Sequence, residues 1–563
     1  MIEKVINEIS KTEDAKIINA KDIIGNDHVK KYDQVISVIT ELSLNTGIKI
    51  IQLYIAFKEP YSLNLPQIFI DKKSYDEIKY IPHVNSDLSI CIIDQGDGFY
   101  FDVDKLPEIT VELIAKTKII LRGIDDENYL KTEFEREFLA YWNITYSKNE
   151  KSQEIGLCLV DFQNFENLKG IKFIDKFGIY KYLIYNDENN FKLFQNYLNI
   201  KGIKSSEIQI FLADFDEIKP PYNISYSQSL RYLRDQSNFR SKINKLKAED
   251  FIIVFRNSYS ELYGWTYPVL NKIVKGFRPI SNWQFLNSNL SKDCYVNRLS
   301  FSNISPKRLD IRTNGNEINR ELKIALIGIG SIGSNLLHYL NKYPVSEYCL
   351  IDPDRLKIEN IFRNKFGFNY INHLKTDIGK YEILSKNPFT NVVSFPKDIS
   401  LLLREKPNLL ESYSYRFIIL GISRIEKYII QHLISIKSDK PIIIIWVEPY
   451  LASGQLIYLC PEDFKKGIDL ITDYPYHVIK SGQNLSMKEG SCQTGYMPYS
   501  DISLGLFLSS INPILYDILI ENNNKSSKIY SWIGDVDKMQ KMNISIFDKY
   551  KSINKFSLLE NEF

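Results

Sequence analysis

The chain has 563 residues, a length that suits three or four domains, each with a hydrophobic core of its own. A net charge of +2 with 25% charged residues argues against the strongly basic surface with which proteins bind nucleic acid. The six cysteines form no C-x-x-C pair, the N-terminus is charged, and the longest apolar runs, such as PIIIIWV, are far too short to span a membrane. We therefore expect a cytoplasmic protein without a four-thiolate zinc site, a disulfide framework, a membrane partner or a nucleic-acid partner.

The first domain is expected to span residues 1–148 and to belong to the α+β class. Extended segments come first, in IKIIQLYIAF and LNLPQIFI. Two stretches near its end, ITVELIAKTKIIL and LKTEFEREFLAYW, repeat apolar residues at steps of three and four. This order predicts a β-rich meander followed by helices.

The middle region, residues 149–318, is expected to be a linker domain of mixed α/β structure. Short runs of β-branched and aromatic residues, EIGLCLVDF, SSEIQIFLADF and DFIIVF, alternate there with polar connections. No motif in this region indicates a role.

The third domain is expected to span residues 319–563 and to hold a Rossmann-like, mostly parallel sheet. From Glu321 the pattern runs strand, glycine turn, helix and strand, and it repeats to about Val447. The chain as a whole is therefore predicted to be of the α/β class.

A G-x-G-x-x-G turn opens this third domain. Gly328, Gly330 and Gly333 lie between a buried strand and a helix, where glycines permit a tight turn and the close approach of a phosphate. The next strand, EYCLID, ends at Asp352, a position suited to a ribose hydroxyl. Together these features predict a nucleotide site.

Two cations distinguish between the nucleotides that such a turn can bind. Asn360 and Arg363 lie three residues apart, so a short helix would present both on one face, and Lys375 follows at the start of the next helix. Hydride transfer gains nothing from two cations here, whereas phosphate transfer requires positive charge on the phosphate oxygens. The pattern favours chemistry at a nucleotide phosphate.

The series D-x-D, N-x-x-R and Lys resembles the adenylation domain shared by ubiquitin-activating enzymes and the bacterial ThiF and MoeB adenylyltransferases. The resemblance covers roughly Lys323 to Leu459. It implies ATP and Mg²⁺ as cofactors, with the ribose on Asp352 and the phosphates on Asn360, Arg363 and Lys375.

One position departs from that family. After the strand in FIILGISRIEKY the family usually has an aspartate that helps to place magnesium, and the matching residue here is Ser423. Either adenylation is slow or another carboxylate, such as Asp354, takes over, and no metal ligand is assigned from the sequence.

Cys492 is the first of two candidate catalytic cysteines. It lies in the Gly- and Ser-flanked loop of MKEGSCQTGYMPYSDISLGLF, just before an apolar helix that opens near Ser500 and Asp501. Bacterial activating-enzyme domains fused to conjugating-enzyme domains carry a thioester cysteine ahead of a similar PYS helix, and WVEPY resembles that branch too. Three other cysteines lie in apolar strands and are expected to be buried, and Cys294 is undecided.

Cys91 is the second candidate. The segment PHVNSDLSICIID, after a β-rich meander and before a helix, resembles a ubiquitin-conjugating-enzyme core, in which an H-P-N motif precedes the catalytic cysteine. His83 and Asn85 would be remnants of that motif, with Val84 in place of the proline and a shorter gap to the cysteine. The resemblance implies that Asn85 stabilises the oxyanion when an amine attacks the thioester.

The resemblances together imply a fused conjugation enzyme. It would adenylate the C-terminal carboxylate of a protein, capture the acyl group on Cys492, pass it to Cys91 and deliver it to an amine. The fusion resembles the conjugating protein of bacterial CBASS antiviral systems, whose substrate is a cGAS-like nucleotidyltransferase, and a homodimer is expected by resemblance. The alternatives are a bacterial ubiquitin-like pathway, a sulfur-carrier adenylyltransferase, an NAD-linked oxidoreductase and a catalytically degenerate scaffold.

Overall fold

The computed structural model describes residues 1–23, 26–85, 87–93, 101–143, 154–161, 163, 165–214, 223–270, 280–421, 423–488, 495–521 and 526–563. The chain divides into two compact units. The first comprises Met1–Asn186 and Ser205–Asn303, and the second comprises Asp187–Lys204 and Ile304–Phe563. The domain limits expected from the sequence stay predictions. The structure adds that a short segment of the middle region belongs to the second unit.

The N-terminal part of the first unit is a four-stranded antiparallel meander, paired in the order β1–β2–β3–β4 and accompanied by helices. Its elements are α1 (Ile2–Ile9), β1 (Asp14–Ile18), β2 (Gln34–Leu44), β3 (Gly47–Phe57), β4 (Gln67–Ile70), α2 (Lys72–Glu77), α3 (Leu106–Arg122), α4 (Glu127–Arg136) and α5 (Phe138–Asn143). Alternate residues of β3, such as Leu53 and Ile55, pack in one core with Val5 of α1 and Leu113 of α3. The predicted meander followed by helices is confirmed, with the second helix divided at Glu137.

The rest of the first unit is a closed barrel with the strand order β10–β11–β5–β7–β6–β8–β9. This region contains β5 (Glu154–Leu159), β6 (Lys169–Ile174), β7 (Tyr180–Tyr185), α6 (Glu188–Ile200), β8 (Ser205–Leu212), α7 (Tyr226–Ser229), α8 (Gln236–Ile243), β9 (Phe251–Arg256), β10 (Leu262–Thr266), α9 (Asn282–Leu286) and β11 (Asn297–Asn303). Both faces of β9 are buried, since Ile252 and Val254 join one apolar cluster while Phe251 and Phe255 join another. The continuous apolar run of this strand follows from that burial.

The second unit is built on an eight-stranded sheet in the order β14–β13–β12–β15–β16–β17–β20–β21. Its elements after α6 are α10 (Pro306–Asn314), β12 (Leu322–Ile327), α11 (Ser331–Leu340), β13 (Val345–Ile351), α12 (Lys375–Lys386), β14 (Asn391–Phe395), α13 (Ile399–Glu405), β15 (Tyr415–Ile418), α14 (Ser423–Ser435), β16 (Ile442–Val447), β17 (Ser453–Leu459), α15 (Phe464–Thr472), β18 (Met487–Lys488), β19 (Gly495–Tyr496), α16 (Asp501–Tyr516), β20 (Lys528–Ile533), α17 (Val536–Lys541) and β21 (Leu558–Asn561). The strands from β14 to β16 are parallel and the remaining three are antiparallel. The predicted Rossmann-like sheet is confirmed, and the carboxyl ends of β12, β13 and β15 meet at one edge, where such folds bind ligands.

Helix α6 comes from the middle of the chain but packs on the second unit. The ring of Phe194 stacks on that of Phe389, with centroids 6.1 Å apart. The ammonium of Lys201 lies 3.0 Å from the ring centroid of Tyr381, on α12. These contacts place α6 with the parallel sheet although its sequence lies between two barrel strands.

Helix α16 continues through a π-helical turn to Glu521. Within the described part of the chain, Asp501–Glu521 is the one segment long and apolar enough to cross a membrane, and 39% of its 18-residue apolar stretch is buried. Leu504, Phe507 and Ile511 pack into the core of the sheet. The apolar character of α16 therefore serves at least in part to cover the sheet.

Candidate functional site

The glycine turn joins β12 to α11 at the carboxyl edge of the parallel sheet. Gly328 has a φ of +94°, and a Cβ there would lie 2.4 Å from the carbonyl oxygen of Ile419. A Cβ on Gly333 would lie 2.1 Å from the carbonyl oxygen of Gly328. Nothing lies within 4 Å of the corresponding position on Gly330, the N-cap of α11. The first and third glycines are therefore needed for packing, and the second leaves the helix N-terminus open to an anion.

Asp352 follows β13 and is buried. Its Oδ2 accepts a hydrogen bond from the backbone N–H of Ile329 at 2.6 Å, inside the glycine turn, and its Oδ1 accepts one from Asp354 at 2.8 Å. Burial raises the pKa of Asp352, and the ammonium of Lys375, 3.6 Å away, opposes that rise. The carboxylate thus stabilises the turn, and its predicted role on ribose stays a prediction.

Lys375 is the first residue of α12, as predicted, and its side chain is almost fully buried. Its ammonium donates to Oδ2 of Asp354 at 2.9 Å. The structure therefore places this cation against the two carboxylates of the D-x-D motif. Its predicted contact with phosphate stays a prediction.

Asn360 and Arg363 lie together on a 3₁₀ helix, Ile358–Arg363, in which residues three apart are eclipsed. Nη2 of Arg363 donates to Oδ1 of Asn360 at 3.1 Å, and Nη1 donates to the carbonyl oxygen of Met497 at 3.1 Å. The guanidinium carbon lies 5.3 Å from the ring centroid of Tyr499. The Nε–H of Arg363 is buried and has no partner among the described groups. The pair that the sequence predicts on one face is thus assembled.

Ser423 is the first residue of α14, just after β15, and it is exposed. Glu426, one turn later, is buried, and its Oε1 accepts a hydrogen bond from the backbone N–H of Gly421 at 3.1 Å. A carboxylate therefore does lie at this end of β15, three residues after the position where the motif places it. Sequence reasoning missed Glu426, although an acidic residue in the first turn of the helix was a visible signal.

Cys492 lies outside the described residues, between β18 and β19. The helix expected after it is present, since α16 begins at Asp501 with Ser500 as its N-cap, whose hydroxyl accepts from the N–H of Ser503. The role of Cys492 stays a prediction.

Cys91 and Asn85 lie in the wall of one pocket of about 230 Å³ in the first unit. The N–H of Cys91 donates to the carbonyl oxygen of His83 at 2.8 Å, and the N–H of Asn85 donates to that of Ser89 at 2.9 Å. This short antiparallel ladder returns the chain on itself and brings the two residues together. Cys91 is exposed, and the amide of Asn85 donates to the hydroxyl of Ser89 at 2.9 Å.

His83 is held by two carboxylates of the α4 region. Its Nδ1 lies 2.8 Å from Oε1 of Glu137, and its Nε2 lies 3.3 Å from Oε2 of Glu133. The hydrogen bond to Glu137 raises the pKa of His83, although burial opposes the rise. The residue has a φ of +66°, so this clamp holds an unfavourable backbone conformation at the residue that accepts the Cys91 N–H.

The other described cysteines differ in exposure. Cys158, Cys349 and Cys460 are buried, as predicted, and Cys294 is partly exposed. Burial raises the pKa of the Cys349 thiol to about 12 and also raises the pKa of Cys460. Buried thiols of this kind are inert at neutral pH.

Two family models match the chain. Residues 305–462 match the ThiF family, and residues 18–151 match Prokaryotic E2 family B. The chain fuses a prokaryotic E2-like domain to a ThiF-type domain. The predicted fusion is confirmed, since the glycine turn lies in the ThiF-type domain and Cys91 lies in the E2-like domain.

Similarity to individual proteins is weak. No curated protein matches the chain. Among solved structures, PaaA is 16% identical with a TM-score of 0.26, over 38% of this chain and 61% of PaaA. Escherichia coli MccB with ATP is 16% identical with a TM-score of 0.26, over 40% and 63%, and MccB with MccA-N7isoASN is 14% identical with a TM-score of 0.28, over 40% and 64%. The chain therefore spans less than two thirds of each of these proteins.

The residues of the ThiF-type domain suit a nucleoside triphosphate. The open position above Gly330 leaves room for phosphate at a helix N-terminus, and the guanidinium of Arg363 has more N–H donors than the two that Asn360 and Met497 accept from. The described residues contain no group of three or more metal-ligating side chains. Mg²⁺ bound with a nucleotide needs one or two carboxylates beside the phosphates, and the exposed Asp354 suits that role.

Proposed function

We propose that the chain activates the C-terminal carboxylate of a protein substrate with ATP and carries the acyl group over two thiols to an amine. The carboxylate attacks the α-phosphorus of ATP and pyrophosphate leaves, and the acyl adenylate that forms is a good acyl donor. The thiolate of Cys492 attacks that acyl carbon and AMP leaves. The acyl group then moves to Cys91 and from there to an amine, which we expect to be a lysine side chain. One difficult acyl transfer is thereby divided into several easier ones.

One observation carries this proposal. A single chain combines a glycine turn that opens onto a helix N-terminus, in the domain that also holds the Arg363 guanidinium, with an exposed thiol in the wall of a pocket. The first arrangement suits activation, and the second suits acyl transfer.

The residues of the activation site have separate roles in the proposal. The N-terminus of α11 and the side chains of Asn360 and Arg363 would hold the phosphates, and Asp352 would hold the ribose. The ammonium of Lys375, which lies between Asp352 and Asp354, would contribute positive charge near the phosphates. Because these groups are already positioned by hydrogen bonds, they cost little reorganisation during the reaction.

The substrate that we propose is a cGAS-like nucleotidyltransferase, attached to its target in bacterial antiviral defence. The support is the resemblance of the fused arrangement, and in particular of the PYS helix and WVEPY, to the conjugating protein of CBASS systems. A bacterial ubiquitin-like protein is the alternative substrate. A sulfur-carrier adenylyltransferase would leave the E2-like domain without a task.

A homodimer is proposed on the basis of an apolar surface on the ThiF-type domain. Ile502 of α16 is 80% exposed and Phe362 of the 3₁₀ helix is 96% exposed. The amide of Asn335 donates to the carbonyl oxygen of Arg363 at 3.1 Å and to Asp501 at 3.5 Å, which brings these two segments together. Exposed apolar residues this large, grouped beside an apolar helix, favour association with a second copy. We place the enzyme in the cytoplasm, because the proposed relay requires reduced thiols.

Intact-mass analysis under non-reducing conditions tests the proposal. The full chain is incubated with ATP, Mg²⁺ and candidate protein substrates, with omission of ATP as the control. A thiol-sensitive adduct equal to the substrate mass less water is the expected result. Nucleotide binding without pyrophosphate exchange and without any adduct would overturn it in favour of a degenerate scaffold, and reduction of a bound NAD would favour an oxidoreductase.

A further inference from the structure

Helix α5 lies within the E2-like residues but packs into the core of the barrel. Its side chains Phe138 and Trp142 share one apolar cluster with Phe255 of β9 and Tyr263 of β10. The ring centroid of Phe138 lies 4.6 Å from that of Tyr263, and the indole N–H of Trp142 donates to the carbonyl oxygen of Leu299, on β11, at 2.8 Å. Because buried aromatic side chains contribute strongly to packing, the barrel holds α5 in a fixed position.

Glu137 joins α4 to α5 and makes polar contacts with both parts of His83. Its Oε1 lies 2.8 Å from Nδ1 of the histidine ring, and its Oε2 accepts a hydrogen bond from the backbone N–H of His83 at 3.4 Å. The same Oε2 accepts a hydrogen bond from the hydroxyl of Tyr141, on α5, at 3.1 Å. Burial raises the pKa of Tyr141, so its hydroxyl keeps its proton and stays a donor. Glu137 therefore connects His83 to a helix that the barrel holds.

The carbonyl group of His83 extends these contacts to Cys91. It accepts the backbone N–H of Cys91 at 2.8 Å. His83 has a φ of +66°, which is unfavourable for a residue other than glycine, so the direction of its carbonyl depends on the groups that hold the residue. A continuous series of contacts thus runs from the barrel core through Tyr141 and Glu137 to the backbone of Cys91.

We propose that Glu137 is a positioning residue, through which the barrel holds Cys91 in register for acyl transfer. The inference rests on the proposed role of Cys91 as an acyl carrier and gives the middle region of the chain a task. In the step concerned, the amine nitrogen attacks the carbonyl carbon of the Cys91 thioester. The bond from that carbon to sulfur breaks, Cys91 leaves as a thiolate, and the amine loses its proton to solvent. A displacement of about 1 Å in such a step can cost ~10²-fold in rate.

Two tyrosines of the same apolar cluster provide a matched pair of variants, since both are buried against other rings. Tyr141→Phe removes the hydroxyl that donates to Glu137 and keeps the ring. Tyr263→Phe is the control, because it removes a hydroxyl that donates to Oε2 of Glu261 at 2.7 Å. That oxygen also accepts from the amide of Asn257, at 3.0 Å, and so belongs to a separate group of hydrogen bonds.

The experiment measures aminolysis at Cys91 in the full-length Cys492→Ala protein, so it does not depend on ATP. The protein is acylated with the mercaptoethanesulfonate thioester of acetylglycine, desalted and mixed with Nα-acetyl-lysine, and intact mass follows the loss of the adduct. The same protein with Cys91→Ala gives the blank. Alkylation of unacylated protein by iodoacetamide measures access to the Cys91 thiol. A single-turnover rate constant does not depend on how much of the protein is folded, so a loss of stability alone would leave it unchanged.

Glu137→Ala should slow aminolysis at least ~10-fold. Glu137→Gln keeps an acceptor oxygen and should recover part of the rate, and Tyr141→Phe should lose less than Glu137→Ala. Tyr263→Phe should react at the rate of the parent protein. Alkylation should stay at the parent rate in every variant, because Cys91 is exposed and only its alignment changes.

Three results would overturn the positioning role and leave the proposed relay intact. They are aminolysis by Glu137→Ala at the parent rate, an equal loss in Tyr141→Phe and Tyr263→Phe, and alkylation that falls in step with aminolysis. No adduct above the blank in the parent protein would instead overturn the proposed role of Cys91, and this inference with it.

Discussion

Replacing Arg363 by alanine is expected to slow ATP–pyrophosphate exchange by about 10²- to 10³-fold. The side chain has five N–H donors, of which one is held by Asn360, one by Met497, and the buried Nε–H has no partner. Loss of one strong donor at a developing charge costs rates of that order. Loss of the two protein contacts alone would weaken the local structure but would not single out the exchange reaction.

Two variants distinguish catalysis from local structure. Arg363→Lys keeps the charge but loses the planar fork, so exchange should recover in part, with a reduced kcat rather than a raised KM for the protein substrate. Arg355→Ala is the matched control, because Arg355 is an exposed arginine of the same connection that donates to the carbonyl oxygen of Asn372 at 2.7 Å. Exchange at the wild-type rate in Arg363→Ala, or an equal loss in Arg355→Ala, would refute the assignment. Thermal unfolding of each variant shows whether the fold is retained.

Arg363 is a better target than Lys375, although both are expected to matter. Lys375→Ala should also slow exchange ~10²-fold or more. It would, however, leave Asp352 buried without the ammonium that now lies 3.6 Å away, so part of the loss would be structural.

Three further predictions concern the relay, the metal and pH. Cys492→Ala should keep ATP–pyrophosphate exchange and lose every thiol-sensitive adduct, whereas Cys91→Ala should keep an adduct on Cys492 and stop transfer to an amine, because each thiol serves a different step. Ser423→Asp should lower the Mg²⁺ concentration that half-saturates exchange, because it restores a carboxylate at the position where the family has one. The pKa of His83 is raised in the folded state. The clamp should therefore contribute all of its stabilisation of the fold below the unfolded-state pKa of ~6.5 and lose it as pH rises through the raised value. The unfolding temperature of His83→Gln should accordingly depend less on pH in that window than that of the wild type.

Each of these predictions has a definite contrary result. A thioester on Cys492→Ala would reverse the relay order and direct attention to Cys294, because the Cys460 thiol is buried. Amine transfer at the wild-type rate by Cys91→Ala would reduce the E2-like domain to a binding platform. An unchanged Mg²⁺ dependence in Ser423→Asp would mean that another carboxylate already serves, and an unchanged pH dependence in His83→Gln would mean that the clamp contributes nothing to stability.

Local patterns in the sequence determined much of the activation site. The turn from β12 to α11 could be predicted from the spacing of its glycines, and the clash that a Cβ on Gly333 would make is with Gly328 of the same turn. Asn360 and Arg363 could be placed on one face because residues three apart in a short helix must be neighbours. The parallel sheet could be predicted from the alternation of strand and helix patterns, because each pattern is set by the local periodicity of apolar residues.

Contacts between distant residues were decided by the tertiary structure alone. No local pattern showed that His83 would meet Glu133 and Glu137 some fifty positions away, or that α6 would pack on the second unit. The closed barrel depends on pairings such as β5 with β11, and the Cys91 pocket on the approach of Leu65 and Leu113. The periodicity of apolar residues and their structural propensities indicate which face of a helix or strand is apolar. They do not indicate which other element covers that face, because that depends on how all the elements pack together.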